Sequence, residues 1–497
     1  MNQVLSPKQH SLSLRELLWP IYGREHRIWL PMASMVGLIL FNYTIARNLK
    51  DSLVVTATGS SELIPFLKLG LVLPASLIFF LIYGQLAQRI DRRSLFYVVL
   101  LAFLLFFGVF GLVLYPVHEC LHPTQSADIL QAWLPHGLKG LADCYRVWTF
   151  SAFYVASELW GVVVNSLLFW QFANDVIKVE DAKRYYAHFY LLANAFVTCS
   201  GLVVSYVSQN TVAQGANLDR WAEAIRELTI VMLVAGALIL ILYAYLDRIV
   251  FKQSQAPLVQ DKLKLKLSTW DGIKFVIQSR YLGLMALLII CYGLTVNLIE
   301  ITWKRQLVLL YPSGNDYANF MGYLSTATGL GTIIAIFAGS IVLRKMGWFW
   351  AALATPLVVG ICGALFFLGV LFPNSLALLA EYLNFTPLFL TVIVGFVLEI
   401  LVKSIKYALF DPTKEMAYIP LDSESKIRGK AAVDVVASRL GKSGGGLLEI
   451  LLIALAGTLS GALGYFALTF VIFSGIWLAG VFGLNRLFKS ALDNQIK

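Results

Sequence analysis

From about residue 29 onward the chain alternates long apolar runs with short polar stretches. Runs near 20 residues, the length an α-helix needs to cross the hydrocarbon core of a bilayer, recur at 29–46, 64–87, 94–116, 148–173, 186–208, 228–246, 281–301, 317–342, 349–372, 383–402, 433–458 and 462–485. Lipid offers no partner to a backbone N–H or C=O, and a helix pairs these groups within one segment. The pattern therefore predicts an all-α polytopic membrane protein of twelve spans. The eleventh run is irregular: it carries Asp434, Arg439, Lys442 and a glycine cluster, Gly441 and Gly444 to Gly446.

Composition agrees. Of 497 residues 58% are hydrophobic and 14% charged, and the mean hydropathy of +0.73 excludes an ordinary soluble domain. The net charge of +10 would suggest nucleic acid in a soluble chain. Here most of the 39 Lys and Arg fall on the N-terminus, the even-numbered loops and the C-terminus. That is a positive-inside signal, so both termini are expected in the cytoplasm, and the basic excess reports orientation rather than a nucleic-acid partner. Residues 1–28 contain no apolar signal-peptide core, which favours a bacterial inner membrane. The five cysteines show no close pair and no metal spacing. Cys120 and Cys144 share an outer loop and could form a disulfide. No cofactor is expected, and a monomer is the expected state.

The basic stretch 247–280 divides the chain into a half at 1–246 and a half at 281–497. A shift that lays Glu180 on Glu424 also lays Arg184 on Arg428, Ala187 on Ala431, Ala193 on Ala437 and Gly201 on Gly445. A second shift lays Asn48 and Leu49 on Asn297 and Leu298. These matches point to a duplicated six-helix unit similar to the major facilitator fold. Transporters of this plan bind substrate near the midplane between the halves.

Charges inside the spans carry the functional reading. Lys68, Glu158, Glu300, Glu399, Asp434, Arg439, Lys442 and Glu449 lie within runs, and Lys50 and Asp51 just past the first. A cation at the bilayer centre costs roughly 2.5–3.5 kcal/mol on insertion scales. A helix-end side chain that snorkels or a structural ion pair is the plainer account for Glu399, Asp434 and Glu449. Lys68 and Lys442, in opposite halves, suit a clamp on a polyanion, with Glu158 and Glu300 as counter-ions when the site is empty. Lys442 stands between Gly441 and Ser443, small neighbours that let a phosphate approach the backbone. Arg439, Lys50 and Asn297 complete the substrate-binding candidates. The loops 175–185 and 404–430 mix signs, and Glu180, Arg184, Glu424 and Arg428 are candidates for a cytoplasmic gate.

Two motifs mislead. LGKSGG around Lys442 resembles a phosphate-binding P-loop, but Val436 stands where the first glycine is needed and no strand precedes it. His118-Glu119-Cys120-Leu121-His122 matches H-E-x-x-H, which holds zinc only on a continuous helix; Pro116 and Pro123 bracket it. An intramembrane metalloprotease is thus the remote alternative, and His118 and His122 are expected not to bind metal.

Five stretches carry a resemblance: FNYTIARNLKDSLVVTA (41–57), ELIPFLK (62–68), ASELWGVVVNSLLFWQFAND (156–175), VNLIEITWKRQL (296–307) and the segment 406–445. In order and over nearly the whole chain they resemble the ATP/ADP translocase family, the nucleotide transporters of plastids and obligate intracellular bacteria. Departures fall at Gly59 to Leu63, one residue short, at Arg47-Asn48-Leu49, and at ANAFVTCSG (193–201). The resemblance implies a major-facilitator-like architecture and a functional quartet at Lys68, Glu158, Glu300 and Lys442. It implies exchange of host ATP for bacterial ADP, with phosphate as a further candidate substrate. Family members that import nucleotides with protons, or carry GTP, UTP or NAD, provide the alternative.

Overall fold

The computed structural model of the chain describes residues 21, 23, 25–177, 179–210, 220–253, 274, 276, 278–421, 433 and 437–496. Among the described residues the regular structure is helical throughout. We label the long helices α1 (His26–Thr58), α2 (Leu63–Arg89), α3 (Arg92–Leu114), α4 (Trp148–Val176), α5 (Val179–Asn210), α6 (Arg220–Gln253), α7 (Arg280–Leu310), α8 (314–346), α9 (348–371), α10 (Pro387–Ala417), α11 (Ser438–Ala456) and α12 (Leu459–Ile496). Among the described residues ten helices are long and apolar enough to cross a membrane. One of them, Gly314–Leu371, breaks at Gly347, where φ is 79°, a conformation open to glycine; the break separates α8 from α9. α11 is not among the ten, because Arg439, Lys442 and Glu449 interrupt its apolar sequence. The surface fits lipid: Leu81, Leu105, Ile334 and Leu468 are each at least 60% exposed.

Several boundaries differ from the sequence expectation, and three show why. The apolar run of α1 ends near residue 46, yet the helix continues to Thr58 and stops at Gly59 in the left-handed region. Lys50 and Asp51 thus lie inside the helix and are buried, not past its end. They stay helical because their charges are met by partners on other helices. Likewise α7 runs on to Leu310, so Lys304 belongs to a helix and not to an outer loop. α10 begins at Pro387 rather than 383 because Asn384 is left-handed and ends the preceding short helix.

The two halves meet along α5 and α8. A Cβ on Gly201 would sit 2.5 Å from the Gly322 carbonyl, and one on Gly322 would sit 2.7 Å from Ser205 N. Small residues at this crossing let the backbones touch, the usual device where lipid gives no hydrophobic drive. Ser325 on α8 also bonds Asn48 on α1 at 3.1 Å. A second contact between halves joins α11 to the start of α2: a Cβ on Gly446 would lie 3.6 Å from the Pro65 carbonyl. Beyond it α2 stands away, with Tyr83 its one buried residue between Leu73 and Arg89.

Candidate functional site

α7 and α11 cross almost in backbone contact. A Cβ on Gly293 would lie 2.7 Å from Gly441, so any side chain there would force the helices apart. The crossing sets Asn297 against α11. Its Nδ2 donates to the Gly441 carbonyl at 3.3 Å and the Lys442 carbonyl at 3.4 Å, while its Oδ1 accepts from Lys68 Nζ at 2.9 Å.

From Asn297 a chain of charges runs through the centre of the molecule. Lys68 Nζ is 3.0 Å from Glu300 Oε2, and Glu300 Oε1 is 2.8 Å from Lys304 Nζ. Lys304 reaches Asp51 Oδ2 at 2.8 Å, and Asp51 Oδ1 meets Lys50 Nζ at 3.0 Å. Lys50 closes the series on Glu158 Oε1 at 3.1 Å and lies 3.8 Å over the Tyr154 ring. Three cations and three anions from α1, α2, α4 and α7 balance to zero. Lys50, Asp51 and Lys304 are each no more than 2% exposed. Buried ions demand such compensation: removing one partner of a buried pair costs about 3–5 kcal/mol. Lys68 lies in the π-helical turn Leu67–Val72, and Glu158 stands just before a second one, Gly161–Phe169; such irregular turns gather at functional sites.

The candidates fall into three groups. Lys68, Glu300, Glu158, Lys50 and Asn297 share this network. Glu158 pairs with Lys50, not with Lys442 as a simple two-by-two arrangement would have it. Lys442 and Arg439 form a second group on the exposed face of α11. Among the described residues no carboxylate pairs with either, and Arg439 stands 5.8 Å over the Phe80 ring of α2. The third group is the gate. Glu424 and Arg428 lie outside the described residues, as does Asp434, and the side chains of Glu180 and Arg184 are likewise not described. Nearby, Asp175 pairs with Arg92 at 2.6 Å within its own half. Glu399 pairs with Lys403 one turn on, as the structural reading expected.

Asp51, noted beside Lys50 just past the first run, and Lys304 were not among the site candidates of the sequence reading. Lys304 carried a usable signal, its i,i+4 spacing from Glu300, hidden because α7 was ended too early. An apolar groove of about 950 Å³ between α2, α3, α4 and the outer helix Lys139–Arg146 has no ionised lining residue, so it offers nothing to a polyanion.

Outside the spans, His118 Nδ1 lies 2.6 Å from the Tyr115 carbonyl and His122 Nε2 2.6 Å from Thr149 Oγ1. The motif forms one short turn, His118–Leu121, with His122 already extended. Burial, and then the neighbouring His118, push His122 down to about 4. Cys120 and Cys144 are both free, so no disulfide joins them; Cys120 is exposed, and burial pushes the Cys144 thiol up to about 12. LGKSGG lies in helix α11, and no strand precedes it among the described residues.

Comparison with known proteins agrees with this architecture. A family model described as TLC ATP/ADP transporter matches residues 5–488. "ADP,ATP carrier protein 1" of Chlamydia muridarum is 45% identical over 96% of this chain and 92% of its own length. "ADP,ATP carrier protein 2, chloroplastic" of Arabidopsis thaliana is 41% identical over 94% of this chain and 75% of its own. Among solved structures, the nucleoside transporter NupG superposes with a TM-score of 0.52 at 11% identity, covering 93% of this chain and 99% of its own. A bacterial homologue of the iron transporter ferroportin in an inward-facing state does so with 0.54 at 13%, covering 93% and 98%. At these identities the structural likeness speaks for the fold alone, that of a helical membrane transporter.

Proposed function

We propose a transport function from one premise: the chain belongs to the TLC ATP/ADP transporter family. The function is exchange of ATP for ADP across a membrane by alternating access, in twelve spans arranged as halves 1–246 and 281–497 joined by the basic stretch 247–280. Both termini face the cytoplasm of a bacterium, and the membrane is its inner one. The names carried by the relatives support the choice of nucleotides. The observation that carries the mechanism is the Lys68–Glu300 pair at 3.0 Å, a counter-ion contact between halves that a phosphate can replace.

A nucleotide with roughly three or four negative charges gives up much of its hydration in such a site, and fixed cations must replace it. Lys442 and Arg439 lie on the open face of α11, without a carboxylate partner among the described residues. They would meet the phosphates first. Lys68 then turns from Glu300 to the phosphate, and Glu300 keeps Lys304 as its partner. Glu158 stays on Lys50. When the nucleotide leaves, Lys68 returns to Glu300. The empty carrier is thereby held by its own ion pairs and does not readily reorient, which enforces exchange. By the positive-inside orientation the open face of α11 looks to the cytoplasm, and the α2–α11 contact closes the opposite side. Glu180, Arg184, Glu424 and Arg428 would close the cytoplasmic side by pairing across loops when the site faces out.

The test is uptake of radiolabelled ATP by cells expressing the chain, with and without preloaded ADP. Uptake that requires internal ADP is expected. Uptake driven by a proton gradient without internal nucleotide would replace exchange by proton-coupled import, and absence of nucleotide uptake by correctly inserted protein would remove the transport reading.

A further inference from the structure

We propose that Glu449 of α11 is a proton-binding site, loaded while α11 packs against the start of α2 and emptied when that contact opens. Glu449 is 1% exposed, and neither carboxyl oxygen has a hydrogen-bond partner among the described residues. It lies one turn beyond Gly446, the residue that packs against Pro65 and the Lys68 Cβ. The charges that act on it are Lys68, Glu300 and Lys304. Neither cation is available: Lys68 is taken by Glu300 and Asn297, and Lys304 by Asp51 and Glu300. An ionised carboxylate without a partner in such a place costs far more than a neutral acid. Glu449 is therefore carried as the acid in this state.

The other elements around it add little charge. α12 bears none from Leu459 to Leu484. On α7, Arg305 turns away to Ser460 Oγ at 2.7 Å. On α11 itself Arg439 and Lys442 lie toward the opposite end. The turn His136–Leu138 and the helix Lys139–Arg146, with Lys139 and Asp143, cap the same contact from the first half. So does Glu62, whose acid burial holds above the usual carboxylate range. Opening this face admits water to Glu449; its O–H bond breaks, the proton passes to that water, and the carboxylate stays hydrated. Low pH thus favours the closed contact and high pH its opening.

The inference rests on the alternating-access reading, but its readout needs neither nucleotide nor transport. Spin labels at Ala132→Cys and Thr458→Cys, exposed positions of opposite halves at this end, report the distance across the contact in substrate-free protein whose own cysteines are replaced by serine. In the parent, the short-distance population falls as pH rises, by up to about tenfold per pH unit, the limit for one proton. Glu449→Gln keeps the short distance at every pH, and Glu449→Leu does the same if glutamine is not tolerated. Glu62→Gln retains the parent's response. A Glu449→Gln protein that follows the parent's pH curve, a parent that does not respond, or a response abolished by Glu62→Gln alone overturns the proposal.

Discussion

The central network and the face of α11 use the same residue types in opposite ways. In the network Lys50, Lys68 and Lys304 are matched one for one by Asp51, Glu158 and Glu300, at distances of 2.8–3.1 Å. Among the described residues, Lys442 and Arg439 on α11 have no carboxylate partner, and Glu449 has neither a hydrogen-bond partner nor solvent. The contrast separates two tasks. Matched charges at a crossing of four helices bind those helices to one another, because any helix that moves strips a partner from a buried ion. Unmatched cations on an open face are free to take an anion from outside the protein. Lys68 links the two regions, since its partners Glu300 and Asn297 lie in the other half and Asn297 also reaches the α11 backbone.

The largest effect should come from breaking the matched region. Lys304→Ala takes one partner each from Asp51 and Glu300, leaves the network one negative charge in excess, and should destabilise the protein by about 3–5 kcal/mol, read as a lowered unfolding midpoint in detergent. Asp51→Leu with Lys304→Met removes both charges and should recover much of the loss. An unchanged midpoint for Lys304→Ala would mean that the network does not hold the fold.

Lys442→Ala tests the other side of the contrast. It should leave the unfolding midpoint nearly unchanged and weaken ATP and ADP binding by about 2–5 kcal/mol. Arginine should not restore affinity fully, because a planar fork and a compact ammonium fit phosphate differently. Adenosine is the phosphate-free control: an equal loss for adenosine would make Lys442 a structural residue and erase the distinction between the regions.

Arg439→Ala should cost the fold far less than Lys304→Ala, because its described contact is the exposed stack on Phe80, worth about 0.5–1 kcal/mol at such sites. Phe80→Leu should reproduce that stability change while sparing nucleotide affinity. If both variants lose nucleotide binding equally, Arg439 acts by placing α2 rather than by meeting the phosphate.

The smallest effect belongs to the outer histidines. With its folded-state value near 4 and an unfolded value near 6.5, His122 is charged more readily in the unfolded chain. Its contribution is complete above about pH 6.5 and is lost as pH falls toward 4. His118→Ala with His122→Ala should flatten stability in that window and leave uptake unchanged. A stoichiometric zinc that vanishes with the double variant would show the motif to be a metal site after all.

Much of this was legible from order along the chain. Apolar runs of bilayer length can only be helices, because lipid leaves backbone groups no other partner; their number, and ions as costly as Lys68 and Glu300, mark a transporter before any contact is known. The limits of that reading are specific. Hydropathy ended α1 before Lys50 and α7 before Lys304, because a run of apolar residues reports contact with lipid while a helix buried in protein tolerates charge wherever a partner waits. Which carboxylate meets which lysine depends on the approach of helices hundreds of residues apart in sequence, fixed by Gly293 against Gly441 and Gly446 against Pro65. The one-dimensional pattern thus determined the class of molecule and most of its ions, Lys304 excepted. Only the packing decided that Glu158 belongs to Lys50, that Asp51 and Lys304 complete the network, and that Lys442 and Glu449 stand outside it, since pairing falls off within a few ångströms and only the fold sets those distances.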